Sequence, residues 1–262
     1  MNTDDLLRPE ALLPRLTTAA GRVDVHSLAE CDSTNLQLLA MARAGAPAGT
    51  LLIAERQTAG RGRRGRTWHQ GKGALAFSLL WHVPRPPAGL SLAVGLAIAE
   101  ALQNDDEQRN AQLKWPNDVL VAGRKVAGIL IESAGDQRFV IGIGINTGDG
   151  FDNALPTELA NTAAGVGIDD RTEFFARVLD HLVVTLDTFV AHGFAPLQSR
   201  WQMRNAYQDM AVNLFFSEDS EPVQGVCRGV DTNGELLLET TTCLQTIASG
   251  EVSLRLQQGA NA

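Results

Sequence analysis

Four short apolar runs lie close together between residues 112 and 146, and they constrain the fold more than any other feature of the chain. They read QLKW, DVLV, KVAGILIES and FVIGIGIN, and the turn sequences PN, AGR and AGDQR separate them. Short strands joined by tight turns predict a meander of adjacent strands. Gly142 and Gly144 in the last run leave room for a ligand or another backbone to approach the sheet closely.

The segments on either side of this meander predict a mixed α/β fold. Apolar residues recur at helical spacing in residues 35–45, 90–102 and 173–194. Strand patterns occupy residues 23–30, 50–57 and 74–83. From about residue 211, short strands with turn signals at regular spacing suggest a small β-barrel. We therefore place a domain boundary near Tyr207, with a larger domain over residues 1–207 and a small one over residues 208–262.

Charge and composition narrow the class of protein. The 262 residues carry a formal net charge of −8, which argues against broad binding to nucleic acid or membrane surfaces. No apolar run reaches the roughly 18–20 residues of a membrane span. The three cysteines are far apart, and neither they nor the five histidines show metal-ligand spacing. We therefore expect no metal site built by the protein alone and a reducing, cytoplasmic location.

An arginine-rich loop, RQTAGRGRRGRTW (Arg56 to Trp68), stands out in this acidic chain. Four arginines lie between residues 61 and 66, and the loop links two apolar strands. The loop could be a solvated charge run. It could instead bind a phosphorylated ligand, because arginine suits phosphate and glycines would keep the empty loop mobile. GRGRRG matches G-x-G-x-x-G, but a strand follows it where a dinucleotide-binding turn requires a helix.

Five polar or glycine-rich stretches lie at the ends of the predicted strands, where ligand sites of α/β proteins usually form. They are DSTN, RQTAGRGRRGR, KWPND, GRKVAG and GIGIN. Each has a structural alternative. DSTN is a good helix cap, WPND a plain turn, Lys125 a residue of a solvated hairpin tip, and GIGIN a glycine-kinked strand. The residues alone leave these alternatives open.

Taken together and in this order, the five stretches resemble the biotin protein ligase family, the biotin–[acetyl-CoA-carboxylase] ligases. The similarity includes AGIL-x-E after GRK and the closing GEVSLR, and it runs from about Val23 to Arg255. It implies an α/β (α+β) catalytic domain related to class II aminoacyl-tRNA synthetases and lipoate–protein ligases, followed by a C-terminal SH3-like barrel. It also implies that biotin and ATP, with Mg²⁺, form biotinyl-5′-AMP. Biotin would then pass to a lysine of the biotin carboxyl carrier domain of acetyl-CoA carboxylase.

The resemblance also assigns roles to individual residues of the matching motifs. The ureido and thiophene rings of biotin would lie against Ser33, Thr34, Asn35 and Gln57. Lys125 would contact the biotin carboxylate and the bridging phosphoryl group. The other ligand-binding residues that the resemblance implies are Gly60, Arg61, Gly62, Arg63, Trp68, Asn117, Gly128, Gly142, Gly144, Asn146 and Arg255.

Within that set, the resemblance implies that Arg61, Gly62 and Arg63 close over biotin and the phosphate and that Trp68 covers the adenylate. Asn117 and Asn146 would line the nucleotide and metal region, and Arg255 would reach the site from the small barrel. Cationic Lys125, Arg61 and Arg63 together with Mg²⁺ would screen the repulsion between a carboxylate and the α-phosphate.

Asp118 is the carboxylate within these motifs that could assist transfer to the acceptor lysine, as a proton acceptor or by orienting the amine. A turn residue or a metal contact is an equal alternative.

Some members of the family carry an N-terminal DNA-binding repressor domain. Only about 22 residues precede the similarity here, so we expect a ligase without the repressor function and without specific DNA binding. A lipoate or octanoate ligase and a non-catalytic biotin sensor are the alternatives. Phe77 replaces a tyrosine that relatives often have, which keeps the aromatic face and loses a hydroxyl. This leaves open a detail of the packing against biotin, but not the activity. Homodimerisation occurs in relatives and is possible here.

Overall fold

A seven-stranded mixed sheet forms the centre of the molecule. The computed structural model describes residues 7–71, 73–148, 162–217, 220–248 and 252–257. The strands of this sheet are β1 (Asp24–Cys31), β2 (Thr50–Gln57), β3 (Leu75–His82), β4 (Ala111–Lys114), β5 (Asp118–Val121), β6 (Arg124–Gly135) and β7 (Arg138–Ile145).

The strand order is β1-β2-β3-β7-β6-β5-β4. β1 and β2 are parallel, and every other neighbouring pair is antiparallel. The predicted meander is confirmed, because β4, β5, β6 and β7 are neighbours in chain order. Because the turns between them are short, each of these strands pairs with the next strand in the chain.

Helices cover both faces of the sheet. They are α1 (Pro9–Leu12), α2 (Thr34–Arg43), α3 (Leu90–Asp105), α4 (Arg171–His192) and α5 (Gln198–Gln202). Asp170 caps the start of α4, and its carboxylate accepts a hydrogen bond from the Glu173 N–H. The helix buries the predicted apolar residues, including Phe174 and Phe189, in the main core. Within the described residues, no helix combines the length and the apolar character needed to cross a membrane.

The two faces of β3 lie in different surroundings. The Phe77 ring is fully buried and packs edge-on against Phe175, with 4.7 Å between the ring centroids. Ser78, the next residue, faces the opposite side, where its hydroxyl contacts Asn35. The Phe77 ring therefore belongs to the core and lies on the face of β3 opposite to Asn35.

A five-stranded antiparallel sheet follows the large one. Its strands are β8 (Ala211–Phe215), β9 (Val223–Val230), β10 (Leu236–Glu239), β11 (Leu244–Ile247) and β12 (Ser253–Leu256), in the order β11-β10-β9-β8-β12. The predicted short strands after residue 211 are thus confirmed.

The two sheets share one apolar core. Leu214 and Leu238 of the small sheet belong to the same buried cluster as the residues of α3 and α4. The Trp115 indole N–H also donates a hydrogen bond of 3.1 Å to the carbonyl of Gly234. The boundary near Tyr207 stays a prediction, because apolar packing continues across it.

Candidate active site

A cavity of about 710 Å³ opens on the large sheet, which is a volume typical of small-molecule sites. The start of α2, the arginine loop, β5–β7 and the edge of the small sheet surround it. It is lined by all the predicted site residues except Gly60, namely Ser33, Thr34, Asn35, Gln57, Arg61, Gly62, Arg63, Trp68, Asn117, Asp118, Lys125, Gly128, Gly142, Gly144, Asn146 and Arg255. Gly60 lies at the base of the loop, where its carbonyl accepts a hydrogen bond from the Trp68 N–H at 2.9 Å.

Glycines of β6 and β7 form the floor of the cavity. Gly128 pairs with Gly144 across the two strands. A Cβ atom on Gly142 would lie 2.0 Å from Asn35 Oδ1, and one on Gly144 would lie 2.4 Å from the Trp68 ring. Both distances are too short for any side chain. The glycines therefore leave room for Asn35 and Trp68 as well as for a ligand.

The start of α2 places three buried polar residues at one end of the cavity. Ser33, Thr34 and Asn35 are each no more than 3% exposed. Ser33 is the N-cap residue by position, but its side chain makes no capping hydrogen bond. The Gln57 side-chain oxygen accepts hydrogen bonds from the Thr34 N–H at 2.9 Å and from the Thr34 hydroxyl at 3.2 Å. DSTN therefore does more than cap a helix, because it builds a polar wall.

The backbone of the arginine loop folds back on itself over the cavity. Arg61 and Thr67 pair as an antiparallel bridge, and the Gly62 N–H donates a hydrogen bond of 2.7 Å to the carbonyl of Arg66. Arg64 takes up a left-handed conformation, with φ of 59°. These contacts close the loop into a compact hairpin. That the loop is mobile without a ligand stays a prediction.

Two arginines of the loop reach from this hairpin to the sheet. Arg63 Nη1 donates to Asn117 Oδ1 at 3.3 Å, and Arg61 Nη1 donates to Glu132 Oε1 at 3.1 Å. A solvated charge run would lack such contacts. The loop is therefore a cover for the cavity.

The Trp68 ring lies on the glycine floor. Lys125 Nζ is 5.5 Å from the ring centroid, at cation–π distance. The Trp68 Nε1 atom is buried and has no hydrogen-bond partner among the described residues. Leaving an indole N–H in this state costs about 1–3 kcal/mol, so this position is suited to an acceptor group of a ligand.

Asp118 lies between two lysines at the other end of the cavity. Its Oδ1 atom is 2.5 Å from Lys125 Nζ, and its Oδ2 atom is 3.8 Å from Lys114 Nζ. Burial alone would raise the pKa of Asp118, but the charges of Lys125 and Lys114 outweigh it and hold the pKa below its usual value. Asp118 is thus a stable carboxylate.

Positive charge is in excess around this carboxylate. Burial lowers the pKa of Lys114, Asp118 raises it, and the cations of Lys125, Arg66 and Arg255 lower it further, so the net shift is downward. One carboxylate does not neutralise four cations. This end of the cavity is therefore prepared for an anion with several negative charges.

The structure adds residues that the motifs did not assign. Lys114, Arg66, Tyr207 and Ser253 also line the cavity, and Lys114 Nζ is 5.8 Å from the Tyr207 ring centroid. Lys114 and Arg66 lie inside the quoted motifs, so their spacing was a usable signal. Tyr207 lies in no recognisable motif, so nothing in the sequence marked it as a site residue. Gly250 and Glu251 of the closing motif lie outside the described residues.

This fold and site define the class of biotin and lipoate ligases. A sequence model of the Biotin/lipoate A/B protein ligase family matches residues 28–146, and a model of the Biotin protein ligase C terminal domain matches residues 216–255. The bifunctional ligase/repressor BirA of Escherichia coli (strain K12) is 36% identical over 249 residues, which cover 90% of this chain and 76% of that protein. The chain belongs to the biotin protein ligase family.

Two further similarities agree with this assignment. The biotin–[acetyl-CoA-carboxylase] ligase of Paracoccus denitrificans is 33% identical over 244 residues, which cover 86% of this chain and 98% of that protein. The structure of a biotin protein ligase from Aquifex aeolicus in complex with biotin and ATP superposes with a TM-score of 0.76 at 32% identity, covering 89% of this chain and 99% of that one. The predicted family and fold class are confirmed.

Proposed function

We propose that the protein joins biotin to ATP, forming biotinyl-5′-AMP and pyrophosphate. The amine of a carrier-domain lysine then forms an amide with the biotinyl carbonyl, and AMP leaves as the acyl–phosphate bond breaks. One observation carries the proposal. A single cavity has neutral polar groups at one end and an excess of cations around Asp118 at the other. The Aquifex aeolicus relative was solved with biotin and ATP, which supports this pair of ligands.

The neutral end suits the head group of biotin. A ureido group has one carbonyl acceptor and two N–H donors, and Ser33, Thr34 and Gln57 offer hydroxyl and amide groups of both kinds. Ile129, Leu130 and Ile143 also line the cavity, and they provide an apolar path for the valeryl chain.

The cationic end suits the triphosphate. A biotin carboxylate oxygen would attack the α-phosphorus, and the bond from that phosphorus to the bridging oxygen would break as pyrophosphate leaves. Lys125, fixed by Asp118 at 2.5 Å, would lie between the two anions and reduce their repulsion. Arg63, Lys114 and Arg66 would hold the phosphates that depart.

The residues present also fit Mg²⁺ that arrives with ATP. Asn146 Oδ1 is a buried acceptor without a hydrogen-bond partner among the described residues. In the same part of the chain, no group of three or more acidic, histidine or cysteine side chains could hold a metal. Mg²⁺ typically binds through few protein oxygens together with substrate phosphates, so Asn146 would hold it. When bound, the ion neutralises phosphate charge.

Asp118 would orient groups in the transfer step and would not accept the proton. The acceptor lysine has a pKa near 10.4 in its ordinary state. The pKa of Asp118 is lowered below that of an ordinary aspartate by the charges of Lys125 and Lys114, so it is a weak base toward a lysine ammonium. Asp118 would hold Lys125 in place and stabilise the approaching ammonium until solvent takes its proton.

The acceptor would be the carrier domain of acetyl-CoA carboxylase. Relatives such as the Paracoccus denitrificans protein carry this activity in their name. The loop over the cavity would keep water from the adenylate, a mixed anhydride that hydrolyses readily.

Isotope exchange between pyrophosphate and ATP tests the proposed function. We expect exchange with biotin and none with lipoate, octanoate or without an added acid. Exchange with lipoate or octanoate in place of biotin would show that the proposed substrate is wrong, without affecting the assignment of the fold. Binding of biotin without any exchange would identify a sensor and contradict the enzymatic proposal.

A further inference from the structure

A continuous chain of hydrogen bonds runs behind the cavity wall and ends in the arginine loop. The chain begins at Ser78, whose hydroxyl donates to Asn35 Oδ1 at 2.6 Å. Asn35 Nδ2 donates to Glu132 Oε2 at 2.8 Å. Arg61 Nη1 then donates to Glu132 Oε1 at 3.1 Å. The residues that face the neutral end of the cavity are therefore connected to the loop that covers it.

The carboxamide of Asn35 is held in one orientation by this chain. Its two N–H groups donate to Glu132 and to the carbonyl of Leu130, the latter at 3.2 Å. Its oxygen accepts from Ser78, so one acceptor position is left for a ligand. Glu132 is the anionic partner, and hydrogen bonds to a charged group are the stronger ones.

Glu132 has no role in the binding or reaction steps derived above. It lies on β6 in the AGIL-x-E motif, it does not line the cavity, and its side chain is 23% exposed. The Glu132 Oε2 atom accepts from the buried Asn35. Arg61, whose side chain is 43% exposed, donates to Oε1 at 3.1 Å and more weakly to Oε2 at 3.4 Å. The single negative charge of Glu132 on β6 therefore interacts both with Asn35 in the cavity wall and with Arg61 in the loop.

We propose that Glu132 is a positioning residue that couples the biotin end of the cavity to closure of the arginine loop through Arg61. The coupling to biotin rests on the proposed function, whereas the anchoring of the loop does not. Removing the charge of Glu132 loosens the loop at Arg61 and weakens the orientation of Asn35. Lys125 and Asp118 are untouched, so formation of the adenylate is affected less than its retention.

The first test measures release of biotinyl-AMP. The variant Glu132→Gln keeps the size of the side chain and an acceptor for Asn35 but loses the charge that holds Arg61. Preformed complexes with labelled biotinyl-AMP are diluted into unlabelled intermediate, and the release of label is followed. We expect release about tenfold faster than in wild type, because the variant loses one charge-assisted hydrogen bond between Glu132 and Arg61. The kcat for pyrophosphate exchange should stay within about threefold, whereas KM for biotin rises.

The matched control is Glu30→Gln. Glu30 pairs with Arg56 at 2.5 Å near the start of the loop, but it is exposed and does not contact Asn35. It should release the intermediate at the wild-type rate. Equal release from wild type and Glu132→Gln, or equally faster release from both variants, would overturn the proposal.

The second test needs no ligand. Trypsin cleavage after Arg66 is measured in wild type, Glu132→Gln, Arg61→Gln and the double variant. Both single variants should be cleaved about five to ten times faster, and the double variant no faster than either one, because they remove the same ion pair. Wild-type rates in Glu132→Gln or multiplicative effects in the double variant would overturn the coupling. If the wild-type protein showed no biotin-dependent exchange, the proposed function would be wrong. The cleavage rates would still test whether Glu132 anchors the loop, because this assay uses no ligand.

Discussion

Lys125 Nζ lies 2.5 Å from Asp118 Oδ1 across the paired strands β5 and β6, at a point where their register shifts between Val119 and Leu120. The irregular pairing brings the lysine beside a carboxylate that an ordinary ladder would place differently. In the proposed reaction this ion pair would join the two half-reactions, with Lys125 toward the phosphate and Asp118 toward the acceptor amine.

The variant Asp118→Asn should slow adenylation by about one to two orders of magnitude, because Lys125 loses the anion that fixes it. The pH profile of the transfer step should keep its shape. Its rate rises with pH as the acceptor lysine loses its proton, whereas the lowered pKa of Asp118 lies far below this range. Single-turnover transfer from preformed adenylate, measured between about pH 6 and 9, checks this. A flat wild-type profile, with a rise with pH that appears only in the variant, would show that Asp118 accepts the proton.

Lys114→Met should stabilise the fold while reducing the exchange activity. The lowered pKa of Lys114 means that the folded state holds its proton less tightly than the unfolded state. The wild-type free energy of unfolding therefore increases as pH rises through the folded pKa toward about 10.4. The variant should lose this rise and be more stable by about 1 kcal/mol at pH 7.

Urea unfolding at pH 7 and at about pH 9.5 measures this effect. Methionine keeps an unbranched side chain beside Tyr207, so packing changes little. The control is Lys125→Met, which removes the closer partner of the Asp118 carboxylate. That variant should lose both stability and activity, and a stability gain in it would contradict the charge argument.

Gly142→Ala should disturb the neutral end of the cavity. The added Cβ would lie 2.0 Å from Asn35 Oδ1, so the carboxamide must move out of its hydrogen bonds with Glu132 and Ser78. We expect a loss of about 2 kcal/mol in unfolding free energy and weaker biotin binding, measured by calorimetry. The matched control is Gly95→Ala in α3, where the new Cβ meets the side chains of Leu113 at 3.4 Å and Ile129 at 3.8 Å, both ordinary contact distances. That change should be neutral or slightly stabilising.

Local patterns were sufficient to predict the frame of the molecule. The meander of β4–β7 follows from apolar runs and tight turns, which are short-range features. The five stretches at predicted strand ends were also recognised locally, and the family resemblance then assigned their individual residues to the site. The compact pairing of Arg61 with Thr67 was not predicted, although both residues belong to one short loop.

The positioning residues could not be predicted from the sequence, because their roles depend on which face of a strand they occupy. Alternation shows that Phe77 and Ser78 face opposite sides of β3, but not which side faces the core. Glu132 lies in a recognisable motif, yet its two partners come from α2 and from the loop. Such contacts follow from tertiary packing. The same limit applies to Tyr207.

Arg63→Gly should let biotinyl-AMP escape and label proteins without selectivity. Arg63 Nη1 contacts Asn117 Oδ1 at 3.3 Å and lines the cavity, so its loss opens the loop while Lys125 and Asp118 stay in place. Incubation with biotin, ATP and serum albumin, followed by a streptavidin blot, should show labelled albumin. The matched control is Arg64→Gly, because Arg64 does not line the cavity and its φ of 59° suits glycine. Unlabelled albumin with Arg63→Gly, or equal labelling with both variants, would contradict a specific role of Arg63 in retaining the intermediate.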